Sequence, residues 1–124
     1  MSISHRAAVL AAIVGMAALC AGPARAATPT PAAASADNAA QVRRGHELAL
    51  QICASCHVVA SDQSARPLLK PPAPEFRVIA NRASTTAASL TDFLQVPHGK
   101  MPNPMLAEYQ VTALTAYIMS LRNK

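Results

Sequence analysis

A small, mainly α-helical domain whose loops wrap a bound group is the fold class this sequence predicts, on three observations. The chain has 124 residues, 10 of them proline, with 3% aromatic residues and no tryptophan. So short and aromatic-poor a chain is marginal on its own hydrophobic burial. Three segments carry apolar residues at helical spacing, and none shows the alternation of a half-buried strand. Between the first two lies a long, proline-bearing stretch that something other than a core of its own must organise.

Residues 1–26 read as a secretory signal peptide. His5 and Arg6 form a short positive region, residues 7–21 an apolar run, and Ala24-Arg25-Ala26 a small-x-small cleavage site. A run of roughly 15 apolar residues is short for a membrane span. The mature chain is therefore expected to begin at Ala27, to lack an integral span and to reside in the periplasm. Leu19 stands before Cys20 where lipidation would want a small residue, so a lipoprotein is not expected. Residues 27–37, rich in Ala, Pro, Thr and Ser, read as a disordered leader. Residues 38–124 then form one folded domain.

The first helix is expected over residues 38–54, with Asp37 or Asn38 as its cap. Val42, Gly45, Leu48, Ala49 and Ile52 recur at three and four and mark its buried face. Glycine is costly inside a helix, so Gly45 implies close approach of another backbone or ring. The second helix is expected over residues 87–96, capped by Thr85 or Thr86 and ended by Pro97, with Leu90, Phe93 and Leu94 inward. The third is expected over residues 106–122. Val111, Leu114, Tyr117, Ile118 and Leu121 form its stripe, Met119 joins the core, and Arg122 and Lys124 suit the negative end of its dipole. In the stretch from 58 to 84, Pro67, Pro71, Pro72 and Pro74 keep the chain extended, with a short helical turn over 77–81.

Chemistry is concentrated in Cys53-Ala54-Ser55-Cys56-His57. C-x-x-C-H is the attachment signature of c-type haem. The two thiols can add across two vinyl groups, and the adjacent imidazole can bind the iron as an axial ligand. A thioredoxin-like pair would follow a strand in a βαβ unit, and no strand-like run precedes Cys53. A structural zinc site would want a second pair of ligands; after Cys53 and Cys56 only His57, His98 and His46 are at hand. With Cys20 removed, Cys53 and Cys56 are the only thiols of the mature chain, which fits covalent attachment outside the cytoplasm. A covalently stapled porphyrin would also supply the apolar surface that the chain lacks.

A six-coordinate haem needs a second ligand, usually Met or His. His98, Met101 and Met105 all lie in the Pro/Gly-rich loop before the third helix. A proline-stiffened loop can hold a weak thioether donor in one geometry, and spacing alone does not separate Met101 from Met105.

The chain resembles the class I, mono-haem c-type cytochromes, over about residues 42–122. Gly45 stands eight residues before Cys53, and residues 113–118 are similar to that family's final helix, whose aromatic crosses the first helix near the glycine. The resemblance implies the small cytochrome c fold, three to four helices and their loops around one covalent haem. It gives Gly45 and Tyr117 a shared packing role. It implies that the Pro74 carbonyl accepts a bond from the His57 imidazole, and that Arg82 pairs with a haem propionate. In the family the distal Met precedes Pro, with an apolar residue five positions on; Met101-Pro102 and Leu106 fit, which makes Met101 the expected ligand and Met105 the alternative. The family usually has Ser or Thr at the place of Ala107, a cap worth roughly 1 kcal/mol.

The expected function is electron transfer through one haem c iron held by His57 and Met101, as a soluble shuttle or as the cytochrome subunit of a redox enzyme. The partners would be redox proteins: a periplasmic dehydrogenase, a terminal oxidase or a membrane cytochrome complex. No nucleic acid is expected. Loss of Arg6 and Arg25 with the signal lowers the net charge from +5 to +3, two propionates would lower it further, and no aromatic residues interleave with the basic ones. No general base or nucleophile argues for catalysis. The other reading is a haem enzyme or gas sensor with an open distal site, for which His98 would be the one peroxidase-like acid/base group.

Overall fold

The computed structural model describes residues 28 and 30–123. The expected signal peptide, its expected cleavage site and Cys20 lie outside the described residues, as does Lys124. Helix α1 spans Pro31–Leu48 and runs on without a break into a π-helical turn, Ala49–Cys53. Three further helices come after it: α2 Phe76–Ala80, α3 Ala87–Gln95 and α4 Glu108–Ser120. Helix α1 packs across α4, and α2 and α3 also lean on α4. The core is Ala49, Cys53, Val59, Phe76, Ala80, Leu90, Leu94, Val111, Leu114, Tyr117 and Ile118.

The first helix starts seven residues ahead of the expected Asn38, so residues 31–37 are helical where a disordered leader was expected. Thr30 caps it, its Oγ1 accepting from Ala33 N at 3.4 Å, and Pro31 takes the first helical position, where its missing N–H costs nothing. Residues 31–39 are exposed, so alanine propensity rather than packing carries this first stretch.

The π turn corrects the predicted face of this helix. An i+5 bond, Ala54 N to Ala49 O at 3.0 Å, admits one extra residue and shifts the register of the residues after it. Ile52 is turned outward, 39% exposed, and Cys53 goes into the core.

Helix α3 uses Thr86 as its cap in a reciprocal pair: Ser89 N donates to Thr86 Oγ1 at 3.0 Å and Thr86 N to Ser89 Oγ at 2.9 Å. Thr85 is buried instead and donates to the Ile79 carbonyl. Phe93, expected inward, is half exposed. Helix α4 begins at Glu108, after an Ala107 that has no side-chain cap to offer. Only one half of a capping box exists there, Ala107 N to Gln110 Oε1 at 2.9 Å. Arg122 was expected to serve the helix dipole. Its guanidinium instead donates Nε to the Ala80 carbonyl at 2.9 Å and Nη2 to the Thr85 carbonyl, tying the end of α4 to α2 and the loop beyond.

Gly45 lies where α1 meets α4. A Cβ built there would sit 2.0 Å from the Ala113 carbonyl oxygen and 2.6 Å from Tyr117 Cβ. Beside it the Tyr117 hydroxyl donates to the Val59 carbonyl at 2.9 Å, joining α4 to the loop beyond the cysteines.

Next to this crossing His46 Nε2 donates to Asp62 Oδ1 at 3.0 Å. That bond holds the exposed Asp62 carboxyl below its ordinary value of 3.8. The unfolded chain therefore takes up the proton first. The contribution is present above about pH 3.8 and is lost as pH falls through the lower folded value. Solvent screening keeps it small. Above pH 3.8 Asp62→Asn should lower Tm slightly, and the gap from the native chain should close as pH falls below that value; a gap that persists in thermal melts at still lower pH would contradict this.

Candidate haem-attachment site

The π turn passes directly into one more turn of chain. Cys56 N and His57 N both bond the Cys53 carbonyl, at 3.1 and 2.9 Å. Residues three and four apart share a helix face, so Cys53, Cys56 and His57 are gathered on one side. Cys53 is buried, Cys56 half-buried, and neither is in a disulfide.

The proline-bearing segment holds this turn from outside. Leu68 N bonds Ser55 O at 2.8 Å, Ala73 N bonds Cys56 O at 3.0 Å, and Phe76 N bonds Val58 O at 3.0 Å. These bonds bring the Pro74 carbonyl to 2.7 Å from His57 Nδ1. A carbonyl only accepts, so Nδ1 carries the proton and the lone pair lies on Nε2. Phe76 packs against the ring with centroids 5.4 Å apart. The imidazole is thus fixed in tautomer and orientation, as a metal-ligating histidine needs to be.

Gln63 also braces this turn, and sequence reasoning missed it. Its Oε1 accepts from Val59 N at 2.9 Å, and its Nε2 donates to the Ala54 and Ala65 carbonyls at 3.1 and 2.7 Å. A lone glutamine in a loop carries no signal that could have singled it out.

The two methionines of the distal loop part company. Met101 is half-buried and packs against the core. Met105 is 86% exposed and sits at a positive φ of 51°. Gly99, at φ 52°, makes the turn that lets Met101 N bond the His98 carbonyl at 3.0 Å. Arg82 is exposed and makes no ion pair among the described residues; its propionate role draws no support from a protein partner. Two open grooves, of about 510 and 530 Å³, flank α3 and α4, and neither is lined by Cys53, Cys56, His57 or Met101. The donor atoms, rather than the grooves, mark the site.

Burial, with Cys56 adding repulsion, pushes the Cys53 thiol up to about 11. A redox-active or zinc-binding cysteine is activated in the opposite direction, toward thiolate. Among the described residues no cluster of three or more His, Cys, Asp or Glu could hold a metal ion. Two unpaired thiols within one turn, beside an imidazole with its Nε2 available, fit a covalently attached porphyrin.

Known proteins lead to the same group. No solved structure gives a significant match. Cytochrome c-552 of Bradyrhizobium diazoefficiens is 39% identical over 84 residues, which cover 68% of this chain and 78% of that protein. The family model for cytochrome c matches residues 42–122, from the middle of α1 to the end of α4. With the Cys53–His57 turn and the helix crossing inside that match, the chain belongs to the cytochrome c family, a haem-based electron-transfer protein with covalent haem c and its iron as cofactor.

Proposed function

We propose that the protein is an exported electron carrier of the periplasm, working as a soluble shuttle or as the cytochrome subunit of a redox enzyme. Cys53 and Cys56 carry the two thioether links, and His57 and Met101 hold the iron. When bound, haem c supplies a one-electron couple. The chain would hold both donors, exclude water from the iron and leave an edge for partners. His57 Nδ1 bonded to the Pro74 carbonyl at 2.7 Å is the observation that carries this reading. It fixes the tautomer and makes the imidazole a stiff donor. Met101, packed on the core while Met105 faces solvent, is the thioether suited to the other side. Met/His ligation raises the potential, which suits passing electrons from a periplasmic dehydrogenase toward a terminal oxidase or membrane cytochrome complex. Arg82 is the proposed partner of a propionate. The apolar run of residues 7–21 and the cleavage site after Ala26 support export.

Carbon monoxide tests the closed distal side. The reduced protein at neutral pH is expected not to bind it. Rapid binding would mean an open iron and would favour a gas-binding or peroxidase-like protein instead.

A further inference from the structure

Every carbonyl from Cys53 to Cys56 has a donor. The Cys53 carbonyl accepts from Cys56 N and His57 N at 3.1 and 2.9 Å, Ser55 O from Leu68 N at 2.8 Å, and Cys56 O from Ala73 N at 3.0 Å. Those donors are all backbone groups. Ala54 O, between the two cysteines, is served by a side chain instead, Gln63 Nε2 at 3.1 Å.

The same amide also reaches the other end of the segment. Gln63 Oε1 accepts from Val59 N at 2.9 Å, two residues past His57, and Nε2 donates again to the Ala65 carbonyl at 2.7 Å. An amide that faces one N–H and two carbonyls has a single assignment of its oxygen and nitrogen, and a carboxylate has no proton for the carbonyls. Gln63 is half-buried, and Val59 is 2% exposed. Its loop is anchored as well: Val59 O accepts from the Tyr117 hydroxyl at 2.9 Å, and Asp62 is bonded to His46 of α1. Gln63 links the Cys53–His57 turn to the α1–α4 crossing.

We propose that Gln63 is a positioning residue for the iron: by tying Ala54 to Val59 it holds the His57 imidazole on its Pro74 bond, keeps water out of the turn and so holds the reduction potential up. The proposal rests on the reading of His57 as an axial ligand. His57 lies between the two tied points, and its Nδ1 stays 2.7 Å from the Pro74 carbonyl only while the turn keeps its place. Without the Gln63 amide, Ala54 O and Val59 N must turn to water. The imidazole is then held less firmly, and a wetter site favours the more highly charged, oxidised iron.

The test uses holoprotein made in a host that attaches haem c. Gln63→Leu removes all the bonds of the amide. Gln63→Glu keeps the acceptor for Val59 N and, when ionised, has no donor for either carbonyl. Gln51→Glu puts the same charge on an exposed residue of the π turn and is the control. Nuclear magnetic resonance of the reduced protein reads exchange of the His57 Nδ1 proton, and spectra at a fixed solution potential read the ratio of reduced to oxidised haem. Relative to the native chain, Gln63→Leu is expected to exchange about fivefold faster, the worth of one ordinary hydrogen bond, and to show a lower reduced fraction. Gln63→Glu should exchange as fast at neutral pH, and Gln51→Glu at the native rate. Once acid protonates its carboxyl, Gln63→Glu regains one donor and should return toward native exchange, while Gln63→Leu stays fast. If Gln63→Leu does not assemble, the acid rescue of Gln63→Glu decides alone. Native exchange and a native reduced fraction in Gln63→Leu, with only a lower guanidinium midpoint, would make Gln63 a brace of the fold and overturn the proposal. Equal exchange in Gln51→Glu and Gln63→Glu, or no acid rescue, would also overturn it. Those outcomes leave His57 on the iron; a native spectrum without an iron-bound imidazole would remove that ligation itself.

Discussion

Gly45→Ala is expected to destabilise the folded protein by about 3 kcal/mol, the cost of overpacking a contact that cannot give way. The added Cβ would lie 2.0 Å from the Ala113 oxygen, 2.6 Å from the Ala113 carbonyl carbon and 2.6 Å from Tyr117 Cβ. Two of those atoms are backbone, so no rotamer change relieves the clash. The helices must move apart, and α1 leads directly into the π turn that carries Cys53 while α4 carries the Tyr117 bond to Val59. Alanine's better helix propensity, worth about 1 kcal/mol, works in the other direction and is outweighed. A domain of this size has roughly 5–15 kcal/mol in all, so the loss is large. Guanidinium unfolding of the oxidised holoprotein measures it. An unchanged or raised midpoint would show that propensity wins and that the crossing is looser than described.

Removing both thiols is expected to have a still more visible effect. In Cys53→Ala/Cys56→Ala the haem should leave the polypeptide completely on acid–acetone extraction, whereas in the native chain it should stay with the denatured protein. The apoprotein should also lose much of its helical signal. Among the described residues the core is eleven side chains, two alanines and Cys53 itself included, and a core of that size in so short a chain rarely suffices without a staple. Haem-stained denaturing gels and far-ultraviolet circular dichroism read the two effects. Haem retained on the denatured double variant would rule out thioether attachment at these residues. An undiminished helical signal would show that the helices stand without the porphyrin.

The proposed attachment residues and the helix crossing were legible because both depend on local rules. Cys53, Cys56 and His57 sit within five residues, and a glycine at Gly45 in an apolar helical face already asks for a close neighbour. Three helices could be read from apolar periodicity, although α1 begins at Pro31. Composition marks that stretch as disordered, while the Thr30-Pro31 pair is itself a helix start signal and prevails over it. Other features were not readable in principle. The π turn is one inserted residue in a hydrogen-bond ladder, invisible to a periodicity of 3.6, and it decides that Cys53 rather than Ile52 faces inward. The outward placement of Met105 depends on its backbone at φ 51°. Arg122 serves carbonyls 37 and 42 residues away in sequence, and the His98 Nδ1 bond to Val96 is a matter of rotamer. Spacing along a chain contains neither.

The central claim is that His57 and Met101 together hold the iron of an electron carrier. The far-red sulfur-to-iron charge-transfer absorption of the oxidised protein tests it most directly, compared among the native chain, Met101→Ala and Met105→Ala. The band is expected in the native protein and in Met105→Ala, and it should vanish in Met101→Ala. A band that survives in Met101→Ala, or one lost in Met105→Ala, would contradict the assignment and move the ligand to the exposed methionine.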